Sequence, residues 1–284
     1  MNTLAQTPSD TTTPELYITP PARWWENPLH ELWDYRELLY FFVWRDIKVR
    51  YKQTVLGAAW AVLQTLLTML IFSLFFGKLA HIPSDGLPYP VFYYTALLPW
   101  TYFATALQTG TMTIVGHQHV ITKVYFPRLI LPLSGVLSGL VDFAISFVML
   151  VVLLLYYGIR PTAAVVFLPA FLLLAIATAL GVSLWLSALN AIYRDVRYVM
   201  PFLVQFWMFA SPVIYPISLV PLKWRWLYGL NPVAEVIEGF RWSLTGHGAV
   251  APYSTAISIT VVVLVLLMGV AYFQRMETTV ADVV

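Results

Sequence analysis

This sequence predicts an all-α membrane protein: six transmembrane helices, an amphipathic interface helix before the first, and short re-entrant outer helices between the fifth and sixth. Three observations predict it. Hydrophobic residues make up 60% of the 284 and charged residues 11%, about half the charged share of a soluble domain, which leaves too little polar surface to face water. Six apolar stretches each supply the roughly 20 helical residues that cross about 30 Å of hydrocarbon. Lys and Arg divide unevenly between the connecting segments.

Composition also excludes classes of function. A net charge of +2 without a basic run does not suit a phosphate backbone, so nucleic acid is not an expected partner. No cysteine is present, which removes disulfides, thiolate metal sites and redox motifs. Residues 1–22 are polar, rich in Thr and Pro, and lack an apolar core. They read as a disordered polar N-terminus rather than a cleaved leader.

The stretches run near Val55–Gly77, Tyr89–Gly116, Leu129–Tyr157, Pro161–Ile192, Tyr198–Leu222 and Ala249–Gln274, and only the third carries a charge, Asp142. Continuous apolar runs lack the alternation of barrel strands, so helices are the expected spanning form. Trp24, Trp25, Tyr157, Tyr193, Tyr198, Trp224 and Trp226 stand near span ends, where interfacial anchors sit. An even number of spans puts both termini on one side. That side holds eleven Lys and Arg residues against five on the other, so both termini are expected in the cytoplasm. Residues 55–275 then form the membrane domain, residues 23–54 the interface helix region and residues 276–284 a cytoplasmic tail.

Before the first span, Leu32, Tyr35, Leu38, Leu39 and Phe42 share one helical face. Such a helix is expected to lie along the cytoplasmic interface. In the basic run Arg45–Lys52 that follows, Asp46 and Arg50 are spaced for an i,i+4 pair. The run serves as a positive-inside anchor, a partner contact, or both. On the outer side, Asn231-Pro232 is a helix start and Gly246 a stop. The helix between them is too short to span and is expected to be re-entrant or interfacial, with Glu235, Glu238 and Arg241 pointing into a wet mouth or at one another.

No G-x-x-x-x-G-K-[ST] phosphate loop occurs, and no G-x-S-x-G elbow or paired-aspartate motif. No catalytic residue is therefore expected. His117 and His119 lack a third ligand nearby, so no metal site is expected either. Asp142, deep in a span, continues a stripe of small residues through Gly135, Ser138, Gly139 and Ser146. It either hydrogen-bonds a neighbouring helix or takes part in passage and gating. Polar and aromatic stripes mark candidate pathway faces: Trp60, Gln64, Thr68 and Phe72 on span one; Thr101, Thr105, Gln108 and Met112 on span two; Phe202, Gln205, Phe209 and Pro212 on span five. Each such stripe is either a helix contact or part of a wide, uncharged route that would suit sugars and other large amphiphiles.

Several runs are family-like. Trp44–Trp60, reading WRDIKVRYKQTVLGAAW, resembles the opening signature of the polysaccharide-export permeases of ABC transporters, relatives of the teichoic acid exporters. Lys123–Pro132 (KVYFPRLILP) and Tyr193–Tyr198 (YRDVRY) resemble that family's two cytoplasmic turns, and Asn231-Pro232 through Glu238-Gly239-Phe240-Arg241 resembles its outer helix. Gln64-Thr65 departs from the frequent Gln-Pro, which removes a kink from span one.

The resemblance implies a permease homodimer around an aromatic-lined channel for a lipid-linked, O-antigen-like polysaccharide. It implies two copies of a separate phosphate-loop ATPase that bind ATP and Mg, with no cofactor in this chain. Val120, Ile121, Lys123, Val124, Tyr125 and Phe126 would contact that ATPase, and the helix bearing Glu235, Glu238 and Arg241 would close the outer mouth. Two alternatives keep their place: an exporter of drugs or small lipids on the same architecture, and an intramembrane transferase on lipid-linked sugars. The second would need clustered acids or a histidine base at the membrane face, and the sequence supplies neither.

Overall fold

The structure, a computed structural model, describes residues 28–52, 57, 59–248 and 250–283. The polar segment expected over 1–22, and Trp24 and Trp25, lie outside these. Every regular element among the described residues is helical. Two helices, α1 (Pro28–Asp34) and α2 (Arg36–Lys52), precede α3 (Ala59–Phe72), which continues into a π-helical segment, Ser73–Leu79. Then come α4 (Tyr89–Gly116), α5 (Gln118–Ile121) and α6 (Ile130–Tyr156). A 3₁₀ turn, Ala163–Phe167, leads into α7 (Leu168–Ile192), followed by α8 (Val196–Phe209), α9 (Arg225–Gly229), α10 (Pro232–Thr245) and α11 (Pro252–Val283).

Four helical runs are long and apolar enough to cross a membrane: Ala59–Leu79, Ile130–Tyr156, Ala163–Ile192 and Pro252–Met276. They coincide with the first, third, fourth and sixth expected spans. α4 has 28 residues, about 42 Å of helix, but Tyr, Thr and Trp dilute its apolar character. Its position accounts for this composition. Every residue from Val91 to Trp100 is buried, and α3, α6, α7 and α10 pack around it. Tyr94 donates to the Ser146 carbonyl at 3.1 Å and Tyr102 to the Val136 carbonyl at 3.3 Å. Hydroxyls that would be unfavourable against lipid are thus paired inside protein.

Small residues set the α4–α6 contact. A Cβ added at Gly135 would meet Thr113 at 2.9 Å and the Gly110 backbone at 3.1 Å, so the absence of a side chain at Gly135 lets the two helices approach closely there. Thr65, where a Gln-Pro would bring a kink, lies in regular helix and bonds back to the Ala61 carbonyl, so span one is unkinked there as the sequence implies. The departure from α geometry comes instead at the π segment, beside Tyr89.

The fifth expected span, Tyr198–Leu222, is not one continuous helix. α8 stops at Phe209 after 14 residues, about 21 Å, and the chain turns through residues 210–216. Proline explains the stop: Pro212, Pro216 and Pro221 each lack the N–H that a continuing helix needs. The apolar composition of the stretch conceals the break.

α2 packs along α6. Phe42 is buried in a cluster with Ile114, Phe126, Ile130 and Leu131, and Leu32, Leu38 and Leu39 lie against it. The expected apolar face of the segment before span one is therefore spent on the protein itself. Tyr40, Phe41 and Trp44 are exposed on the other side.

Candidate functional site: a neutral cavity and a buried outer helix

Helices α3, α4, α6 and α8 line a half-open cavity of about 960 Å³. Trp60, Gln64 and Thr68 line it from α3, and Thr101, Thr105 and Gln108 from α4. Two expected pathway stripes thus meet across one space, with the Trp100 indole beside them. Amides, hydroxyls and indoles dominate the polar part of its wall, and among the described residues its only charged ones are Arg50 and Asp142. Gln108 and Thr109 also border a smaller recess shared with Asp46, Met112, Thr113 and His117.

Besides Met112, in that recess, and Pro212, in the turn after α8, four expected pathway residues lie elsewhere in the protomer. Phe72 packs edge-on against Phe76 and Tyr93, with ring centroids at 5.2 and 5.8 Å. Phe202, Gln205 and Phe209 are exposed on the outer face of α8. The inward face of α8 carries Met200, Val204 and Met208 instead, and Val204 and Met208 line the cavity. Periodicity found a stripe on α8, but the stripe chosen for its Gln and aromatic residues was the outward one.

Asp142 accepts hydrogen bonds from Arg50 Nη1 and from the Tyr51 hydroxyl. Burial, then the bond to Asp142, pushes the Tyr51 phenol above its ordinary range, which keeps it a donor. The expected Asp46–Arg50 pair does not form: Asp46 pairs with Arg45 at 2.7 Å. The reason is packing, since α2 lies on α6 and presents Arg50 to the lone acid of that helix.

The turn after α4 separates the six candidate partner contacts. Lys123, Val124 and Tyr125 are exposed, Tyr125 at 83%. Val120 and Ile121 are half-buried against the second core cluster. Phe126, only 3% exposed, packs on Phe42 with ring centroids 5.7 Å apart, so it supports the turn from beneath and offers no outer surface.

α10 begins and ends where its sequence signals it. The Asn231 side chain accepts from the Val233 N–H, and Gly246 takes the left-handed conformation at φ 73°. Its surroundings were not foreseen, because every residue from Pro232 to Thr245 except Trp242 is buried. A Cβ at Gly239 would lie 2.3 Å from the Phe171 ring, so glycine alone admits this approach to α7. Glu238 and Arg241 pair with each other inside the bundle, and Glu235 accepts from the Thr255 hydroxyl of α11. Glu238 and Arg241 face no open mouth within the protomer, whereas Glu235 borders a small recess with Arg225 and Tyr228.

Two of these side chains hold the broken end of α8. Asn231 Nδ2 donates to the Ala210 carbonyl at 3.2 Å and to Ser211 Oγ at 3.0 Å, while its Oδ1 accepts from Trp207 Nε1 at 2.9 Å. Arg241 Nη2 donates to the Pro212 carbonyl at 3.2 Å. Irregular backbone at membrane depth needs such partners, because no water replaces them in hydrocarbon. Sequence reasoning read Asn231 only as a helix cap and missed this second task.

The ABC-2 type transporter family matches residues 37–245, more than half of the chain. The chain belongs to the ABC-2 type transporter family. This membership covers every element from α2 through α10 and makes the chain a permease-type transport subunit. The chain is 33% identical over 217 residues to the O-antigen export system permease protein RfbA of Myxococcus xanthus, covering 75% of this chain and 82% of the relative. A Klebsiella pneumoniae protein of the same name is 27% identical over 248 residues, 87% of this chain and 95% of that one. The polysialic acid transport protein KpsM of Escherichia coli is 23% identical over 203 residues, 68% and 76% of the two chains. Within this ABC-2 type transporter subunit, the aligned region takes in both the cavity and α10.

Proposed function

We propose that this chain is the membrane-spanning subunit of an ATP-driven exporter that moves a lipid-linked, O-antigen-like polysaccharide from the cytoplasm across the bacterial inner membrane. One observation carries the reading: a wide, nearly uncharged cavity lined by indole, amide and hydroxyl groups, in a chain whose relatives are named for O-antigen export and polysialic acid transport. Sugar C–H faces stack on indoles, and sugar hydroxyls bond amides and threonines, so the lining suits a glycan of varying sequence. In this reading α3 with its π segment, α4, α6, α7, α8 with its outer turn, and α11 are the six spans, and both termini are cytoplasmic. Phe202, Gln205 and Phe209, exposed on one protomer, would face a second copy or the lipid around the pair.

Two phosphate-loop ATPase subunits supply the energy, binding ATP and Mg, and each sits on the turn around Lys123–Tyr125. An apolar Val124 and Tyr125 exposed beside Lys123 suit a protein partner better than water. Co-expression of this chain with a phosphate-loop ATPase subunit of an O-antigen exporter tests the division of labour. The expected result is a stable complex that hydrolyses ATP, while the purified chain alone does not. ATP turnover by the chain alone would contradict the reading. An exporter of drugs or small lipids would form the same complex but would not move the glycan.

A further inference from the structure

Two sets of contacts lie about two turns apart on α2. Near its middle, Phe42 packs on both Phe126 and His117, with ring centroids 5.7 Å from each, and Arg45 Nη2 bonds to His117 Nε2. His117 Nδ1 lies 2.7 Å from the Thr113 carbonyl. This assigns the ring proton to Nδ1 and leaves Nε2 to accept from the guanidinium. Near its end, Arg50 and Tyr51 clasp Asp142 in the cavity wall. Eight residues, about 12 Å of helix, separate Phe42 from Arg50, so one rigid element joins the turn at 117–126 to the cavity.

Two ion pairs among the described residues, Arg241–Glu238 within α10 and Arg50–Asp142 between α2 and α6, differ in kind. Arg241 and Glu238 are sealed in the bundle, whereas the Arg50 and Asp142 side chains are 30% and 23% exposed. A sealed pair is a fixed pin, because breaking it leaves a buried charge. A half-exposed pair can exchange its partner for water at little cost, which suits a contact made and broken in turn. Asp142 lies 12 residues into α6, about 18 Å along it, so the clasp holds the end of α2 well along a helix that lines the cavity.

We propose that the Arg50–Asp142–Tyr51 clasp is a latch on the cavity and that α2 is the lever that works it. Displacement of the turn at 117–126 carries α2 with it through Phe42 and Arg45. Arg50 and Tyr51 then leave Asp142, and the half-open cavity widens between the end of α2 and α6. The proposal rests on the exporter reading for its purpose, since that reading seats the ATPase on this turn. Arg50, Tyr51 and His117 are positioning residues here and act through the helix they hold.

The natural chain has no cysteine, so Ala104→Cys, in the cavity wall, provides a single thiol. Its alkylation rate with a water-soluble maleimide, in permeabilised membrane vesicles, reads how open the cavity is. Arg50→Gln and Asp142→Asn should each speed labelling about tenfold, the scale of one hydrogen bond between charged groups. Arg50→Lys keeps the charge and should stay near the parent rate, and Arg50→Asp combined with Asp142→Arg should restore slow labelling. His117→Ala touches neither clasp residue yet should also speed labelling. Parent-like rates in Arg50→Gln and Asp142→Asn would overturn the latch. Fast labelling in those two with a parent rate in His117→Ala would overturn the lever. Because labelling is read without transport, a failed export assay would refute the exporter reading while leaving the latch intact, and the reverse also holds.

Discussion

Arg241 donates to Glu238 at 2.5 Å across one turn of α10, and the two side chains are 1% and 3% exposed. Taking both charges out of water is unfavourable, and the surroundings offset it. Nη2 reaches the Pro212 carbonyl, and the guanidinium lies 4.0 Å from the centre of the Phe92 ring. Arg241→Ala would leave Glu238 buried without its cation and Pro212 without its donor, a loss of about 3–5 kcal/mol. The double variant Arg241→Met with Glu238→Gln should lose less than the sum of the singles, because no charge is stranded. Thermal unfolding in detergent measures both. A parent-like melting temperature for Arg241→Ala would show that the pair does not hold the outer helix.

Asn231 is the other fastening of the same junction. Trp207→Phe keeps the ring and removes one hydrogen bond, for an expected cost of about 1 kcal/mol. Asn231→Ala removes the cap of α10 and the bonds to residues 210 and 211 together, and should cost about 3 kcal/mol. Amide hydrogen exchange locates the effect. Residues 207–216 should lose protection first in Asn231→Ala, and uniform loss across the bundle would contradict the assigned role.

The turn after α4 offers a test in which neighbours behave oppositely. Val124→Asp and Tyr125→Asp change exposed side chains and should weaken capture of the ATPase while leaving the melting temperature within about 2 °C, as surface substitutions do. Phe126→Asp puts a charge against Phe42 in the core and should destabilise the chain itself. Undiminished co-purification with Tyr125→Asp would move the contact elsewhere.

The long apolar helices were legible because composition alone writes them: α3 with its π segment, α6, α7 and α11 lie where continuous hydrophobic runs predict spans. Asn231-Pro232 and Gly246 bounded α10 to the residue, since cap and stop chemistry is local. The break in α8 was written in Pro212, Pro216 and Pro221, but hydropathy reads through proline. The burial of α10 was not legible, because it depends on how α4, α7 and α11 wrap it. The partner of Arg50 was not legible either. Asp46, one turn away, satisfies every local rule, while Asp142 lies 92 residues distant and is reached only because α2 docks on α6. Of the cavity, the α3 and α4 faces were readable from periodicity, whereas the correct face of α8 required its packing.

The proposed route of the glycan is the cavity between α3, α4, α6 and α8. The direct measurement is ATP-dependent movement of lipid-linked polysaccharide across vesicles that hold this chain and its ATPase, compared with Trp60→Ala and Gln64→Leu variants. Transport is expected from the parent complex, and transport at least about tenfold slower from both variants, the effect of losing about 1.4 kcal/mol of contact with the moving sugar, while ATP turnover persists. ATP hydrolysis by the parent complex without glycan movement, or full-rate movement in both variants, would contradict this route.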